Sequence, residues 1–130
     1  MRDAEAQAVL RWAQSDPVGW VREALGFDPT DYQAEILEAV RDHRKVSRGS
    51  CHSAGKSGVA GVVATWFLCA HPGSIVITTA PTYRQVRGIL WDRIRATRSR
   101  ARIPLGGSIS LTRWTFGEGW FAEGVTAPAH

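Results

Sequence analysis

A three-layer α/β fold with a small, mostly parallel sheet is predicted by three observations. The first is Ser74-Ile75-Val76-Ile77-Thr78-Thr79-Ala80, a continuous β-branched run suited to a parallel strand covered on both faces. The second is Val59 to Ala70, apolar on nearly every side. Such a stretch reads as a helix buried against a sheet, and it is too short to cross a bilayer. The third is the order of elements. Helix, strand, helix, strand, helix and then one or two further strands produce parallel strands with helices between them.

Composition narrows the class. The 130 residues suffice for one domain with a core, and 44% hydrophobic content excludes a disordered chain. The formal net charge is +4, carried by 14 Arg and 2 Lys. Arginine forms bidentate bonds to phosphate oxygens, so this bias suits phosphate or nucleic acid contact. Cys51 and Cys69 make neither a disulfide framework nor a zinc-ligand spacing, and both read as reduced thiols in a cytosolic setting. The start, Met-Arg-Asp-Ala-Glu, reads as a polar helix rather than a leader. Six Trp scattered along the chain point to core packing and not to one aromatic platform.

The elements follow in order. Residues 3–14 form an amphipathic helix with Ala4, Ala8 and Trp12 on one side. Asp16-Pro17 starts a second helix through Val18, Val21 and Leu25, with Gly26 as its C-cap. Residues 1–28 are therefore read as a helical appendage, which either binds a partner or covers a sheet edge. Residues 29–130 are read as the main domain. Thr30 and Gln33 fit a capping box for a helix from about Asp31 to Arg41, with Ile36, Leu37 and Val40 inward. Lys45 to Arg48 is expected to be a short strand, although its own residues are weak strand formers. A helix from Lys56 to Ala70 ends at His71-Pro72-Gly73. After the strand 74–80, Pro81 opens a helix reaching about Arg98, with Val86, Leu90 and Ile94 inward. Ser108 to Thr112 alternates as a half-buried strand does, and Phe116, Trp120 and Phe121 flank a hairpin at Gly117-Glu118-Gly119.

Ser50-Cys51-His52-Ser53-Ala54-Gly55-Lys56-Ser57 stands between the expected strand and the apolar helix. In that context it reads as a phosphate-binding loop, with Ser50 where a first Gly is usual. Lys56 supplies charge for β- and γ-phosphates, and the Ser57 hydroxyl suits Mg²⁺. The competing reading is an ordinary strand-turn-helix with Lys56 solvated.

Four segments together resemble the N-terminal ATPase domain of the large terminase subunit, the DNA-packaging motor of tailed bacteriophages. Pro29-Thr30-Asp31-Tyr32-Gln33 resembles its Gln-containing adenine motif, and Ser50 to Ser57 its variant Walker A. Thr79 to Val86, with Trp91, is similar to the strand-helix segment that follows. Trp114 to Ala122, with Thr126-Ala127, resembles the hairpin that leads toward Walker B. The likeness covers residues 17–130.

The resemblance implies a P-loop NTPase-like fold, incomplete at its C-terminus. It implies ATP and Mg²⁺ as cofactors. Catalytic charge would come from Lys56, and Ser57 would be the metal ligand. Ser50, His52, Ser53, Ala54 and Gly55 would cradle phosphates, and Gln33 and Tyr32 would receive the adenine. His52 is read as shaping the loop or facing solvent, not as a base. Walker B, the catalytic Glu and a nuclease domain are expected beyond residue 130, so the chain is expected to be a fragment or truncated reading frame without turnover of its own. In the full-length family the partners are double-stranded DNA, the portal ring, the small terminase subunit and further copies of the motor. The implied location is the host cytoplasm, with no membrane contact.

Arg84, Arg87, Arg95, Arg98 and Arg102 recur at helical spacings and share a broad face of the 84–102 helix, with Arg93 and Arg100 off it. Two readings of this stripe stand, a DNA-backbone contact or a solvated surface. For the whole chain, a P-loop enzyme of another, helicase-like family and a non-enzymatic, partner-binding remnant remain the alternatives.

Overall fold

The computed structural model describes residues 3–43, 56–80 and 82–126. The expected strand at 45–48 and loop residues Ser50 to Gly55 lie outside the described residues. Helix α1 (Asp3–Ser15) is followed by α2 (Pro17–Trp20), which widens into a π-helical turn, Val21–Leu25. Then come α3 (Asp31–Asp42), α4 (Lys56–Ala70) and strand β1 (Ile75–Ala80). A short α5 (Tyr83–Gln85) runs through a second π-helical turn (Val86–Trp91) into α6 (Asp92–Arg100). Strands β2 (Ser108–Ile109), β3 (Arg113–Gly117) and β4 (Trp120–Thr126) complete the fold.

Local chemistry sets the helix ends. The Asp16 carboxylate accepts the Gly19 N–H at 3.0 Å, and Pro17 fills the first helical position, where a missing N–H costs nothing. Gly26 ends the π-helical turn at φ 68°, a left-handed conformation that a β-carbon would strain. The Thr30–Gln33 capping box is formed in both directions. Gln33 N–H donates to Thr30 Oγ1 at 3.3 Å, and Thr30 N–H donates to Gln33 Oε1 at 2.9 Å.

Helix α4 has no polar side along residues 59–70 because both of its sides are packed. Val62, Trp66 and Ala70 share one core with Ala13, Trp20, Val21, Leu25 and Leu37. Leu68 enters a second core with Trp91, Ile94, Trp114 and Ala122 beside the sheet. The helices of residues 1–28 thus lie directly on α4. The inward side of α1 is not the Ala4–Ala8–Trp12 line, which is exposed. Ala13 is buried instead, with Leu10 and Gln14 half-buried. The small Ala13 admits close approach, so the Trp66 indole N–H reaches Ala13 O at 2.7 Å and the Gln14 amide reaches Ala70 O at 2.7 Å.

The sheet order is β1-β4-β3-β2. β1 pairs in parallel with β4, from Ile75 beside Phe121 to Ala80 beside Thr126. β4–β3 and β3–β2 are antiparallel. Mostly parallel pairing is therefore not what the described strands show: one pair is parallel and two are antiparallel. The tight turn at Glu118-Gly119 and the three-residue link at 110–112 explain this, since such short links can join only antiparallel neighbours. β1 also differs from expectation. Val76 packs into the core and Thr78 accepts the Trp91 indole N–H at 2.9 Å. Ile75 and Ile77 instead stand on the open face, 54% and 51% exposed, because the described helices cover one face only.

Gly61 lets α4 and α6 meet. A β-carbon there would lie 3.0 Å from Arg93 Cβ and 3.3 Å from the Arg93 carbonyl carbon. At Gly88, by contrast, an added β-carbon meets nothing within 4 Å. We expect Gly61→Leu to destabilise the fold by roughly 1–3 kcal/mol through overpacking. Gly88→Ala should be neutral or stabilising by up to ~1 kcal/mol. Urea midpoints of the two variants check the contrast, and equal shifts would contradict it.

Candidate functional site

Helix α4 leads into strand β1 through the short turn at residues 71–74 and packs against it through Leu68, Ala64 and Val76, so the chain must double back between them. The Trp120 indole N–H, at the start of β4, donates to Leu68 O at 2.9 Å near the end of α4. The first turn of α4 therefore lies toward the sheet end where β1 and β4 finish, at Ala80 and Thr126. Lys56 and Ser57 open this helix; their side chains lie outside the description, as do Ser50, His52, Ser53, Ala54 and Gly55. A helix N-terminus presents unpaired N–H groups and partial positive charge, a setting for an anion.

Of the residues expected to receive a base, Gln33 and Tyr32 sit in the first turn of α3. Tyr32 is exposed. Gln33 is half-buried and lines a cavity of about 360 Å³. Leu25, Phe27 and Val62 form apolar wall there, while Arg93, Thr97 and Arg100 contribute polar groups from α6. Because Gln33 Oε1 already accepts from Thr30, its Nε2 is the group left to donate.

The arginines of 84–102 do not act as one stripe. Arg84, Arg87 and Arg95 line a surface groove of about 380 Å³ with Tyr83 and Asp92. Arg95 is engaged there by Asp92 and Leu111 O. Arg98 turns away. Its Nη2 donates to Gly106 O and Gly107 O, each at 3.2 Å, and its guanidinium lies 5.5 Å from the Trp114 ring centre. Arg93 and Arg100 face the Gln33 cavity, and sequence reasoning had set them aside. The spacing of 93, 97 and 100, i, i+4, i+7, places them on one face of a helix, but spacing does not say whether that face meets solvent or a cavity.

The remaining chemical groups are structural in character. His71 stacks on Phe67 with centroids 4.4 Å apart. Glu123, in mid-strand beside Ile77, accepts from Arg113 at 2.7 Å. Glu118 occupies the hairpin turn before β4, at the sheet end where β1 begins. That is the end away from the first turn of α4. Among the described residues no group of three His, Cys, Asp or Glu could hold a metal ion, and no helix is long and apolar enough to cross a membrane. Comparison with models of protein families, with curated proteins and with solved structures finds no match to this chain.

Cys69, half-buried near the end of α4, is a free thiol. Burial pushes it up from 9.0 to about 12, and the charge of Arg98 offsets this only in part. Reactivity requires the thiolate. In a Cys51→Ser variant, Cys69 should react with a disulfide reagent at pH 8 at least a hundredfold more slowly in the folded protein than in urea. The sign of the pH effect follows from the raised value. The contribution of Cys69 to stability is complete below pH 9 and is lost as pH climbs toward 12. Rapid native labelling at pH 8 would contradict the buried, protonated thiol.

Proposed function

We propose that this chain is the nucleotide-binding portion of an ATP-driven DNA-packaging motor of the large terminase type, with a P-loop NTPase-like core. The observation that carries the reading is the placement of the α4 first turn. Lys56 and Ser57 begin a doubly buried helix at the end of the sheet where the parallel pair β1 and β4 terminates. Ligands of α/β folds gather at the carboxyl ends of parallel strands. Gln33, half-buried in a cavity that also touches α4 at Val62, supports it further.

Each residue then has a task. Backbone N–H groups from His52 to Lys56 cradle the phosphates, with Ser50 at the entry to the loop. Lys56 offsets the charge on the β- and γ-phosphates, and Ser57 offers its hydroxyl to Mg²⁺. Mg²⁺, when bound, neutralises charge on the phosphate oxygens. The Gln33 amide donates to the base, and the exposed Tyr32 ring packs beside it. Arg84 and Arg87, which have no acidic partner among the described residues, hold the DNA backbone from the groove beside Tyr83. The motor works in the host cytoplasm and meets the portal ring, the small subunit and other copies of itself through its full length.

Binding and turnover separate in this reading. Glu123 is committed to Arg113, and Glu118 sits at the far end of the sheet. Neither stands where it can orient an attacking water, so the chain alone binds ATP without hydrolysing it. Calorimetry with Mg-ATP should show at least a tenfold loss of affinity in Lys56→Ala, and phosphate release should stay at background with or without DNA. Equal affinities, or robust turnover that depends on Lys56, would overturn the reading. For DNA, Arg84→Ala/Arg87→Ala should reduce the salt slope of duplex binding by about 2, roughly one for each lost phosphate contact. An unchanged slope in a filter-binding titration would remove the groove from the interface.

A further inference from the structure

We propose that the cavity between the Leu25–Asp28 turn, α4 and α6 is a binding site for a nucleoside monophosphate moiety, with Arg93 and Arg100 as its anion-holding residues. The inference rests on the packaging-ATPase reading for the choice of nucleotide, but not for the existence of the site.

The argument starts from unbalanced charge. Arg93 makes no hydrogen bond or ion pair among the described residues. Arg100 reaches only Ala96 O, through Nε at 3.5 Å, which leaves both terminal nitrogens free. The acid in the cavity wall, Asp28, is taken by Arg22 at 3.1 Å. Two guanidinium groups therefore line one cavity with no carboxylate committed to them. They stand on one side of α6 two turns apart, about 10 Å along the helix axis. Their long side chains can close on an anion between them, and a planar fork matches phosphate oxygens.

The other wall asks for something different. Leu25 and Val62 close the floor of the cavity and are themselves buried, so the half-buried Phe27 ring is the apolar group that it leaves open. This is a surface for a flat apolar ring. Gln33 Nε2 is free to donate to an acceptor on the ring's edge. Buried Thr97 donates its hydroxyl proton to Arg93 O at 2.7 Å, so its oxygen lone pairs remain available to a sugar hydroxyl. A bare phosphate would leave the Phe27 ring uncovered. A purely apolar ligand would leave two cations unmatched. A heteroaromatic ring that carries a phosphate satisfies both walls, and about 360 Å³ is the size such a moiety needs.

The absent side chain at Gly61 contributes by position. It sets the α6 backbone at Arg93 against α4, which brings the arginine wall opposite the Phe27 turn. Val62 lies six residues from Lys56, about 9 Å along α4. One extended nucleotide can therefore span from this cavity to the helix N-terminus.

The test uses AMP, adenosine and inorganic phosphate as probes of the full chain, read by calorimetry. AMP lacks the β- and γ-phosphates assigned to Lys56, so it isolates the cavity. We expect AMP to bind, Arg93→Gln/Arg100→Gln to weaken it at least tenfold, and Lys56→Ala to leave it unchanged. Adenosine should bind at least tenfold more weakly than AMP. Both arginines are exposed, so the double variant should keep its thermal melt; should it not, the single variants, each expected to lose threefold or more, carry the test. Absence of AMP binding overturns the proposal, as does an AMP affinity indifferent to the arginines. Inorganic phosphate that competes as well as AMP does so too, by reducing the site to a charged patch. Arginine-dependent AMP binding together with ATP affinity indifferent to Lys56 would uphold the cavity and discard the α4 phosphate site. The reverse pattern would discard the cavity and leave the α4 reading standing.

Discussion

Burial of α4 on both sides is the constraint on which the other packing depends. Its apolar stretch has no side that water would favour, so the fold must supply two partners. The N-terminal helices provide one, around Trp66, and the sheet with Trp91 and Ile94 provides the other, around Leu68. Removing a buried Trp side chain typically costs 3–5 kcal/mol, roughly a third or more of the stability of a domain this size. Four indole N–H groups are also satisfied at specific oxygens: Trp66 at Ala13, Trp91 at Thr78, Trp114 at Gly106 and Trp120 at Leu68. Three of these bonds join two elements, and that of Trp114 ties β3 to the loop before β2. Packing that area alone would leave loose is thereby held to one arrangement.

The same constraint places the polar chemistry. With α4 enclosed between two cores, the charged side chains described fall on the elements around it. Helix α6 lies across it at Gly61 and so has one face over the Gln33 cavity, while the preceding turns of the same segment carry Arg84 and Arg87 outward. Arg98, between these sets, ties the loop at Gly106 and Gly107 to the sheet through Trp114. One arginine-rich segment thus divides into a cavity wall, a structural clasp and an outer groove. Charge count alone does not distinguish these roles, since a guanidinium acts through what lies within reach of its fork.

The open sheet face marks where the described packing stops. Ile75, Ile77 and Val125 stand there among polar neighbours, and the Arg113–Glu123 pair crosses it with Arg113 over the Phe121 ring at 4.2 Å. An exposed ion pair of this kind contributes at most about 1 kcal/mol. Apolar strand residues on that face gain nothing from the described helices. β1 therefore keeps the β-branched sequence of a buried strand while only its Val76 and Thr78 side is covered.

Much of the local structure was legible in the residues. The Thr30–Gln33 box, the Gly26 cap, the apolar α4, the position of β1 and the hairpin at 117–119 all follow from rules that act over a few residues. Gln33 was legible as a capping residue, and its role toward a base came only from the family resemblance. Arg93 and Arg100 were not, because a polar stripe at helical spacing has the same pattern whether it faces solvent or a cavity. Only the close approach of α6 at Gly61 makes it a wall. The side of α1 that turns inward was likewise decided by contact. Ala6, Leu10 and Ala13 recur at i, i+4 and i+7 as regularly as Ala4, Ala8 and Trp12 do, so periodicity does not choose between the two lines; Ala13 is small enough for Trp66 to reach its carbonyl, and that contact does. The pairing of β1 with β4 and the antiparallel β3 and β2 beyond it depended on tertiary structure for the same reason. Capping, turn and periodicity are local energies written in neighbouring residues, whereas strand partners, buried faces and the neighbours of a charge are set by surfaces that meet only after the chain has folded.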